Sequence, residues 1–432
     1  MRVVVVFWAL LFAVACGPPG PPRLRVDTPG EGEGEGEGEG EGEGKGEGEG
    51  EGEGEGEGEG EGEGEGDPGL RELRGVWITR FAYSSDETLR GIIDRAADGG
   101  FNAVFVQIRG NGDAYYASSL EPWAQALTGT LGRDPGFDPL AVAIEEGHAR
   151  GLQVHAYFNA LSGWPSTNGL PPVAEGPHQH MLHDHPEWLV VDDTGAAADE
   201  EYYWVTPGNP AVRAHTAAVA RDLLSRYDVD GLHLDRIRSP GPQYSHDAVT
   251  EAAYDAAHAA DPSLSYDDFM RDQVTEVVRA LYQVLLEERP DAVLSAAVWG
   301  IHTVLPGCHT SEGSADYHQD SWAWMEAGVI DALAPMAYWP LAPGACTDWG
   351  ALLDGFMAHR AGRQIWMGMH ALDAGSFDFP LIDARIERAR SSGAQGTVVF
   401  ASSYLDQGTG RWGAFVSGPY AGPAAVPVLD FR

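Results

Sequence analysis

The chain has 432 residues and a formal net charge of −39, from 66 acidic and 27 basic side chains. This balance argues against a nucleic-acid-binding protein, which needs a basic surface, and against electrostatic attachment to an anionic membrane. Lys45 is the only lysine and lies in a Gly/Glu repeat. The rest of the chain therefore lacks the lysine that a Schiff-base enzyme, a pyridoxal phosphate enzyme or a P-loop protein requires.

The first segment, residues 1–16, is typical of a secretory signal peptide, because one arginine precedes an apolar run that is too short to span a bilayer. It ends at Cys16, in a context that resembles the lipobox of bacterial lipoproteins, although Ala13 stands where leucine is usual. Lipidation of Cys16 predicts an anchor in the cell envelope, in the outer membrane or on its periplasmic side. A plain cleaved signal would instead predict a secreted protein.

Residues 17–70 contain a long tract of alternating glycine and glutamate. Glycine disfavours a helix and the repeat has no apolar face to bury, so the segment is predicted to be a disordered linker. Residues 71–432 form the predicted folded domain, in which short apolar runs alternate with longer amphipathic segments.

Eight strands are predicted in that domain: residues 74–79, 102–110, 152–160, 229–235, 292–300, 330–338, 364–370 and 396–403. Helices are predicted between them, with Asp86, Asp138 and Asn209 as N-caps. Eight strand–helix units predict a (β/α)₈ TIM barrel with long loops at its C-terminal mouth. A doubly wound sheet is the alternative, but the turn after the first strand lacks a glycine-rich phosphate loop. The loop after the third strand is predicted to contain a hairpin around Gly195.

Side chains alternate between the two faces of a strand, so each predicted strand has a lumen face and a helix face. Leu232 and Leu234 are predicted to face the helices, whereas His233 and Asp235 face the lumen. Four further residues are predicted to face the lumen near strand ends: Arg109, Asn159, Trp299 and Tyr338. Because TIM-barrel active sites lie at this mouth, such a set of charged, amide and aromatic groups indicates a sugar-binding site. Taken singly, a histidine such as His233 is more often a hydrogen-bonded core residue.

Five motifs occur in this order: "RGVWIT", "FNAVFVQIRGNGDAYYASSLEPWAQALTGTLGRDPGFDPL", "LQVHAYFN", "DGLHLDRIRSPG" and "IDALAPMAYWP". Together they resemble the glycosyl hydrolase-like 10 domain family, well over residues 73–340 and weakly beyond. The resemblance implies a TIM-barrel glycoside hydrolase of bacterial envelopes. It further implies a polysaccharide partner, peptidoglycan glycan strands and in particular strands stripped of their peptides. No cofactor is expected.

Glycoside hydrolysis normally uses two carboxyl groups, one protonated and one ionised. Asp235 is the predicted ionised group, because Arg236 and Arg238 follow it and would hold it charged. The predicted proton donor is Glu312, on the loop after the adjacent fifth strand. Three other carboxyl groups of the mouth loops are alternatives: Asp113, Glu121 and Asp373.

The fourth-strand motif also has a looser likeness to chitinase-type hydrolases, where D-G-x-D-x-D-x-E ends in the acid glutamate and a later M-x-Y contacts the acetamido group. This chain keeps Asp230, Asp235 and the sequence "MAY", but Ile237 occupies the glutamate position. The proton donor of those enzymes therefore cannot be carried over. The predicted substrate-binding residues are Arg109, Asp113, Asn159, His233, Arg236, Trp299, Tyr338 and Trp339.

Two other functional classes are compatible with the sequence. A barrel that binds glycan without cutting it is favoured by the isoleucine at position 237. A metal-dependent hydrolase is suggested by the segment "PHQHMLHDHPEW", in which four histidines surround Asp184. That segment is rich in glycine and proline and lacks an ordered frame, so no metal site is assigned to it.

Cys308 and Cys346 are the two cysteines of the predicted domain. An even number of cysteines in an exported chain predicts a disulfide between them. Two unpaired buried thiols are the alternative.

Overall fold

The computed structural model describes residues 69–197 and 201–432. The predicted signal peptide, the lipidation site Cys16 and the linker up to residue 68 lie outside the described residues. Within the two described ranges, no helix is both long enough and apolar enough to cross a membrane.

The strands are β1 (Leu73–Ile78), β2 (Ala103–Arg109), β3 (Gln153–Asn159), β4 (Ser162–Pro165), β5 (Tyr202–Trp204), β6 (Gly231–Asp235), β7 (Val293–Trp299), β8 (Ala332–Met336), β9 (Gln364–His370) and β10 (Gly396–Phe400). All except β4 and β5 are parallel and close into a barrel, in the order β1-β2-β3-β6-β7-β8-β9-β10 with β10 pairing back to β1. The predicted TIM barrel is confirmed, and β6 is its fourth strand.

The α-helices are α1 (Asp86–Asp98), α2 (Gln125–Thr128), α3 (Pro139–Ala149), α4 (Met181–Asp184), α5 (Pro210–Leu224), α6 (Ala248–Ala260), α7 (Tyr266–Glu288), α8 (Gly313–Tyr317), α9 (Ser321–Glu326), α10 (Trp349–Ala358), α11 (Phe379–Ser391), α12 (Ser402–Leu405) and α13 (Arg411–Val416). The N-caps of α3 and α5 are the predicted ones, since Asp138 and Asn209 accept hydrogen bonds from first-turn amides. Helix α1 differs, because Ser85 caps it in a capping box with Thr88, and Asp86 is its first residue.

Alternation along the strands produces two hydrophobic layers. Leu232 packs outward with the helices, whereas Trp77 and Trp366 fill the lumen. Burial of a large apolar side chain contributes about 1.5–3 kcal/mol, so both layers stabilise the barrel. The lumen is crowded enough to require glycine at position 231, where a Cβ atom would clash with the ring of His155.

The long loop between β3 and α5 forms a second, small sheet at the mouth. Strand β4 follows β3 almost directly and pairs antiparallel with β5. The turn predicted around Gly195 is present, with φ +83° at that glycine and the Asp192 carboxylate accepting from the amide of Ala196. The segment before this turn contributes only an isolated bridge between Leu189 and Val205, so the strand partner of β5 is β4.

The C-terminal segment lies against the opposite, N-terminal end of the barrel. Val426 and Leu429 pack against the lumen cluster. The Gln364 amide at the start of β9 donates to the carbonyl of Val428 at 2.9 Å, and Arg432 pairs with Asp331 just before β8. This segment therefore covers the lumen floor and leaves the C-terminal mouth as the open end.

Cys308 and Cys346 form a disulfide that joins the loop after β7 to the loop after β8, with their Cα atoms 5.5 Å apart. Because the bond links positions 38 residues apart, we expect the double variant Cys308→Ser/Cys346→Ser to lose about 3–4 kcal/mol of unfolding free energy. Denaturant titration without reductant measures the difference. Wild-type protein titrated with reductant is the control and should match the variant, whereas an unchanged midpoint in the variant would show that the bond adds no stability.

Candidate active site

Asp235 ends β6 at the C-terminal mouth of the barrel and is 7% exposed. It lies in register with Asn159 of the neighbouring strand β3. Its Oδ2 accepts a 2.6 Å hydrogen bond from the Tyr157 hydroxyl, and its Oδ1 accepts a 2.6 Å hydrogen bond from the backbone amide of Arg236. These two short bonds to an ionised acceptor hold the carboxylate in one orientation.

The charge of Asp235 is set by its neighbours. Burial alone would raise the pKa of Asp235, but the guanidiniums of Arg236 and Arg238 and the Tyr157 hydroxyl outweigh burial and lower it below its ordinary value. Nη1 of Arg238 lies 3.8 Å from Oδ1 of Asp235. The carboxylate is therefore ionised at neutral pH and suits a nucleophile, a base or an orienting group rather than a proton donor.

The turn after Asp235 contains a strained residue. Arg236 has φ +52°, a left-handed conformation that costs a non-glycine residue about 1–2 kcal/mol and is concentrated at functional sites. Its guanidinium lies 4.9 Å from the centre of the Tyr202 ring and 3.0 Å from the Glu201 carboxylate. The strained turn thus directs the amide of Arg236 at Asp235 and its side chain at the loop that carries β5.

Two predicted aromatic residues are half-buried near this mouth. Trp299 ends β7, and its indole Nε1 donates a 2.9 Å hydrogen bond to the carbonyl of Ser311. Tyr338 follows β8, and its ring packs beside Phe400 with centroids 5.2 Å apart. Burial and then the nearby charge of Asp235 raise the pKa of Tyr338, so its hydroxyl stays protonated and can donate a hydrogen bond.

His233 faces the lumen as predicted but is fully buried below the mouth. Its Nε2 accepts a 3.0 Å hydrogen bond from the Trp77 indole, and its Nδ1 pairs with the Ser295 hydroxyl at 2.9 Å. Burial, and then the neighbouring His155, lower the pKa of His233 to about 3, so the ring is neutral. Both ring nitrogens of His233 are thus engaged inside the lumen rather than at the mouth, and its substrate-binding role stays a prediction.

Arg109 is fully buried behind the mouth. The pairing of β2 with β3 shifts register between Gln107 and Arg109, and this irregularity turns Arg109 out of the lumen pattern. Its guanidinium lies over the Phe158 ring and pairs with the buried Glu121 at 2.6 Å. The structure therefore places Arg109 in a buried ion pair, and its substrate-binding role stays a prediction. Glu121, an alternative proton donor, is the partner of Arg109 in this ion pair. Burial would raise the pKa of Glu121, but Arg109 and His215 outweigh burial and lower it to about 2.

Asn159 and Asp113 support the mouth from below it. The Asn159 side chain donates to the carbonyl of Gly110 at 2.9 Å and accepts from the Gln107 amide at 3.2 Å. Asp113 accepts a 2.9 Å hydrogen bond from the amide of Asn111, and burial raises the pKa of Asp113. Both side chains are buried, with 2% and 1% exposed, and hold loop backbone. Their substrate-binding roles stay predictions.

Glu312, the predicted proton donor, lies on the loop after β7. Its Oε2 accepts a 2.7 Å hydrogen bond from the amide of Val304, and its own amide donates to Asp316 at 2.7 Å. The next residue, Gly313, packs so closely on Trp299 that an added Cβ would lie 3.2 Å from the tryptophan Cβ. Glu312 is therefore half-buried on the Trp299 side of the mouth, with one carboxylate oxygen engaged by the loop.

Trp339 and Asp373 belong to the loops after β8 and β9. Trp339 is half-buried and packs against the outer hydrophobic layer rather than the lumen. Arg385 of α11 forms an ion pair with Asp373, and its Nη1 lies 3.5 Å from the carbonyl of Trp339. Arg385 thus links the two loops, and the Asp373 carboxylate is occupied by an ion pair.

The histidines of residues 178–185 do not converge on one point. His180 is buried and bonds to the carbonyl of Asn111 at 2.6 Å. His183 contacts the adjacent aspartate, and His185 pairs with Glu187. In the described part of the chain, no three His, Cys, Asp or Glu side chains are arranged to hold a metal ion.

Tyr157 is the site residue that the sequence interpretation leaves without a role. Alternation alone places its side chain in the lumen, two positions before Asn159 on β3. In the barrel it pairs with His233 while Asn159 pairs with Asp235, so the tyrosine starts one pleat below the carboxylate. The tyrosine side chain is long enough for its hydroxyl to reach the Asp235 carboxylate. Tyr157 could therefore have been identified from the pairing of positions between the adjacent parallel strands β3 and β6.

The sequence matches the family described as glycosyl hydrolase-like 10 over residues 72–351. It is 30% identical over 303 residues to glycosyl hydrolase YngK of Bacillus subtilis (strain 168), covering 65% of this chain and 57% of that protein. It is 29% identical over 255 residues to glycosyl hydrolase DigH of Escherichia coli (strain K12), covering 57% and 56%. The chain thus spans little more than half the length of these relatives.

Among solved structures, the glycoside hydrolase domain of PgaB (BpsB) from Bordetella bronchiseptica shares the fold. The TM-score is 0.58 at 17% identity, and the match covers 80% of this chain and 98% of that domain. The family match extends over well more than half of the chain and contains β1 to β8 with Asp235. This protein therefore belongs to the glycosyl hydrolase-like 10 family.

Proposed function

We propose that this protein is a glycoside hydrolase of the bacterial cell wall whose substrate is the glycan strand of peptidoglycan, with its N-acetylated sugars. The family and the fold support action on a glycan. The observation that carries the proposal is the ionised, hydrogen-bonded carboxylate of Asp235 at the barrel mouth, where TIM-barrel enzymes hold their catalytic groups. Lipidation at Cys16, which the sequence predicts, would hold the enzyme where this substrate lies.

Asp235 acts in its ionised form in this mechanism. It either attacks the anomeric carbon directly or orients the 2-acetamido group of the sugar, whose oxygen then attacks in its place. Both routes place a negative charge beside the oxocarbenium-like transition state. The Tyr338 hydroxyl makes no hydrogen bond within residues 69–197 and 201–432, so it is free to donate one to the acetamido oxygen.

Glu312 is assigned the second role, proton donation to the departing sugar oxygen. It lies on the loop after β7, the barrel strand that neighbours β6. The amide of Val304 engages Oε2 alone, which leaves Oε1 available to a substrate in the cleft. Trp299, close to this loop, offers the flat apolar face of an indole to the sugar ring beside the scissile bond.

The Glu312→Gln variant tests this assignment. We expect hydrolysis of natural glycan, whose leaving group is a sugar alkoxide, to fall by about 10²–10⁴-fold, because the proton is no longer supplied. Aryl glycosides with acidic leaving groups need no proton and should lose far less. Steady-state kinetics on both substrate types measure the contrast, and equal losses on the two would remove Glu312 from the acid role. Glu145→Gln, an exposed substitution on α3, is the matched control.

A non-catalytic glycan-binding barrel is the second candidate function. It is favoured by Ile237 at the position of the chitinase acid and by the burial of Asp113, a carboxyl group with a raised pKa that is sealed from the mouth. Incubation with peptide-free glycan strands separates the two candidates when bound protein and newly formed reducing ends are both measured. The proposed enzyme generates reducing ends, whereas a binding barrel sediments with the strands and releases none.

A further inference from the structure

Phe81 is an exposed aromatic residue at the mouth of the barrel. It lies in the turn that follows β1, where the amide of Ala82 donates to the carbonyl of Thr79 at 2.9 Å. It is 75% exposed, which is the highest value among the large hydrophobic residues of the described ranges. Single exposed apolar side chains are common on protein surfaces, so exposure alone assigns no role to Phe81.

The ring of Phe81 is supported from one side by Arg80. The guanidinium carbon of Arg80 lies 4.4 Å from the centre of the ring, so a cation covers one face. Arg80 is itself only 6% exposed, and its Nη2 donates 3.2 Å hydrogen bonds to the Tyr202 hydroxyl and to Oδ1 of Asn111. Position 110 is glycine, and a Cβ atom there would lie 2.6 Å from Cδ of Arg80. A fixed support therefore orients a ring whose other face is open to solvent.

The same arginine orients the side-chain amide of Asn111. Because Arg80 donates to Oδ1, the Nδ2 group of Asn111 points away from the guanidinium. The backbone of Asn111 is fixed as well, since its amide donates to Asp113 at 2.9 Å and its carbonyl bonds to His180 at 2.6 Å. Within the described ranges, Nδ2 of this half-buried residue makes no hydrogen bond. Its two N–H donors are therefore available to a ligand close to the open face of Phe81.

A series of side-chain contacts joins this ring to the proposed catalytic carboxylate. Tyr202, which accepts a hydrogen bond from Arg80, lies 4.9 Å from the guanidinium carbon of Arg236, and the amide of Arg236 donates to Asp235. Strands β1 and β6 are three positions apart in the barrel, which is three spacings of about 4.8 Å along the sheet. A sugar bound at Asp235 therefore does not reach Phe81, but a sugar further along the same glycan chain does.

We propose that Phe81 and Asn111 form a second sugar-binding subsite, in which a sugar distant from the scissile bond stacks on the ring and accepts a hydrogen bond from the amide. The inference rests on the proposed glycan substrate. A pyranose ring has a face of C–H groups that packs flat on an aromatic ring, and oxygens around its edge that accept from an amide. Only a chain long enough to reach Phe81 fills this subsite. The protein should therefore bind long glycan chains more tightly than short fragments.

The test compares the binding of short and long glycan chains. Peptide-free fragments, from a disaccharide to long chains, are titrated by calorimetry into the Asp235→Asn protein, in which cleavage is slowed, with and without a substitution of Phe81. Affinity should rise with chain length, and Phe81→Ala should weaken binding of the long chains by about 5- to 10-fold, the effect of exposing one face of a phenyl ring. The disaccharide should bind with unchanged affinity. Phe81→Trp should keep the rise, whereas Phe81→Leu, which covers Arg80 without a flat face, should lose most of it.

Phe431→Ala is the matched control, because the Phe431 ring also lies 4.4 Å from an arginine, Arg363, which just precedes β9 at the opposite end of the barrel. It should leave the dependence on length unchanged. Affinity that does not rise with length, or a rise that Phe81→Ala retains, overturns the inference. An equal loss on the disaccharide and the long chains also overturns it, because Phe81 would then support the whole mouth. Reducing-end release by the wild-type protein is measured in parallel, and its absence rejects the proposed hydrolase while leaving the binding comparison intact.

Discussion

The Asp235→Asn variant is expected to lose about 10²–10⁴-fold in kcat/KM on peptide-free glycan strands. Asparagine has the same shape and can still bond to the Tyr157 hydroxyl and the Arg236 amide, so the local geometry is kept. The variant should also lose some unfolding free energy, because the buried guanidiniums of Arg236 and Arg238 lose the charge opposite them. Reducing-end kinetics measure the loss, and circular dichroism checks the fold.

Asp228→Asn is the matched control for this variant, because Asp228 lies just before the same strand, at the opposite end of the barrel, and pairs with Arg289 on the surface. It should retain wild-type kinetics. An Asp235→Asn enzyme with at least half of the wild-type activity would show that the reaction does not depend on this carboxylate.

The second large effect concerns stability. Glu121 and Arg109 are 1% and 0% exposed and form an ion pair at 2.6 Å, so removal of one partner leaves the other charge buried and unpaired. We expect Glu121→Gln to lower the unfolding free energy by about 3–5 kcal/mol. The double variant Arg109→Met/Glu121→Met should recover much of this loss, because no lone charge remains. Denaturant titration measures each value.

The same pair predicts how stability depends on pH. The pKa of Glu121 is about 2 in the folded state and about 4.3 in an unfolded chain, so its folded-state value is depressed. Its contribution to stability is therefore present above roughly pH 5 and is lost as the pH falls towards 2. Wild-type protein should lose stability over this range more steeply than Glu121→Gln. The exposed pair of Arg133 and Glu175 is the control, and Glu175→Gln should leave the pH profile close to wild type.

The barrel was predictable because its eight strands are short apolar runs with clear alternation, and because Asp138 and Asn209 mark helix starts without ambiguity. Helix α6 was not predictable in the same way. It is rich in alanine and lies on the surface with only Thr250 buried, so the sequence shows no apolar stripe from which to recognise it. The predicted helices are those that pack on the barrel.

The sequence could predict which side of a strand each candidate site residue faces, but not how far below the mouth of the barrel the residue lies. Alternation correctly directs His233 and Asp235 to the same side of β6, but it does not show that one fills the lumen while the other reaches the mouth. Arg109 does not follow the alternation, because the register of β2 against β3 shifts between Gln107 and Arg109. Such a shift does not change the apolar pattern of either strand, so the sequence does not reveal it. Glu312 lies on a loop, where no periodicity applies, and its contact with Val304 depends on the folded path of that loop.

Digestion of peptide-free strands in oxygen-18 water, followed by mass spectrometry of the soluble products, shows whether a site centred on Asp235 hydrolyses glycan strands. The wild-type protein should release oligosaccharides whose new reducing ends carry one oxygen-18 atom, and Asp235→Asn should release none. Wild-type protein that binds the strands but releases no labelled products would show that the site does not hydrolyse them. An Asp235→Asn variant that releases them at the wild-type rate would show that hydrolysis does not depend on this carboxylate.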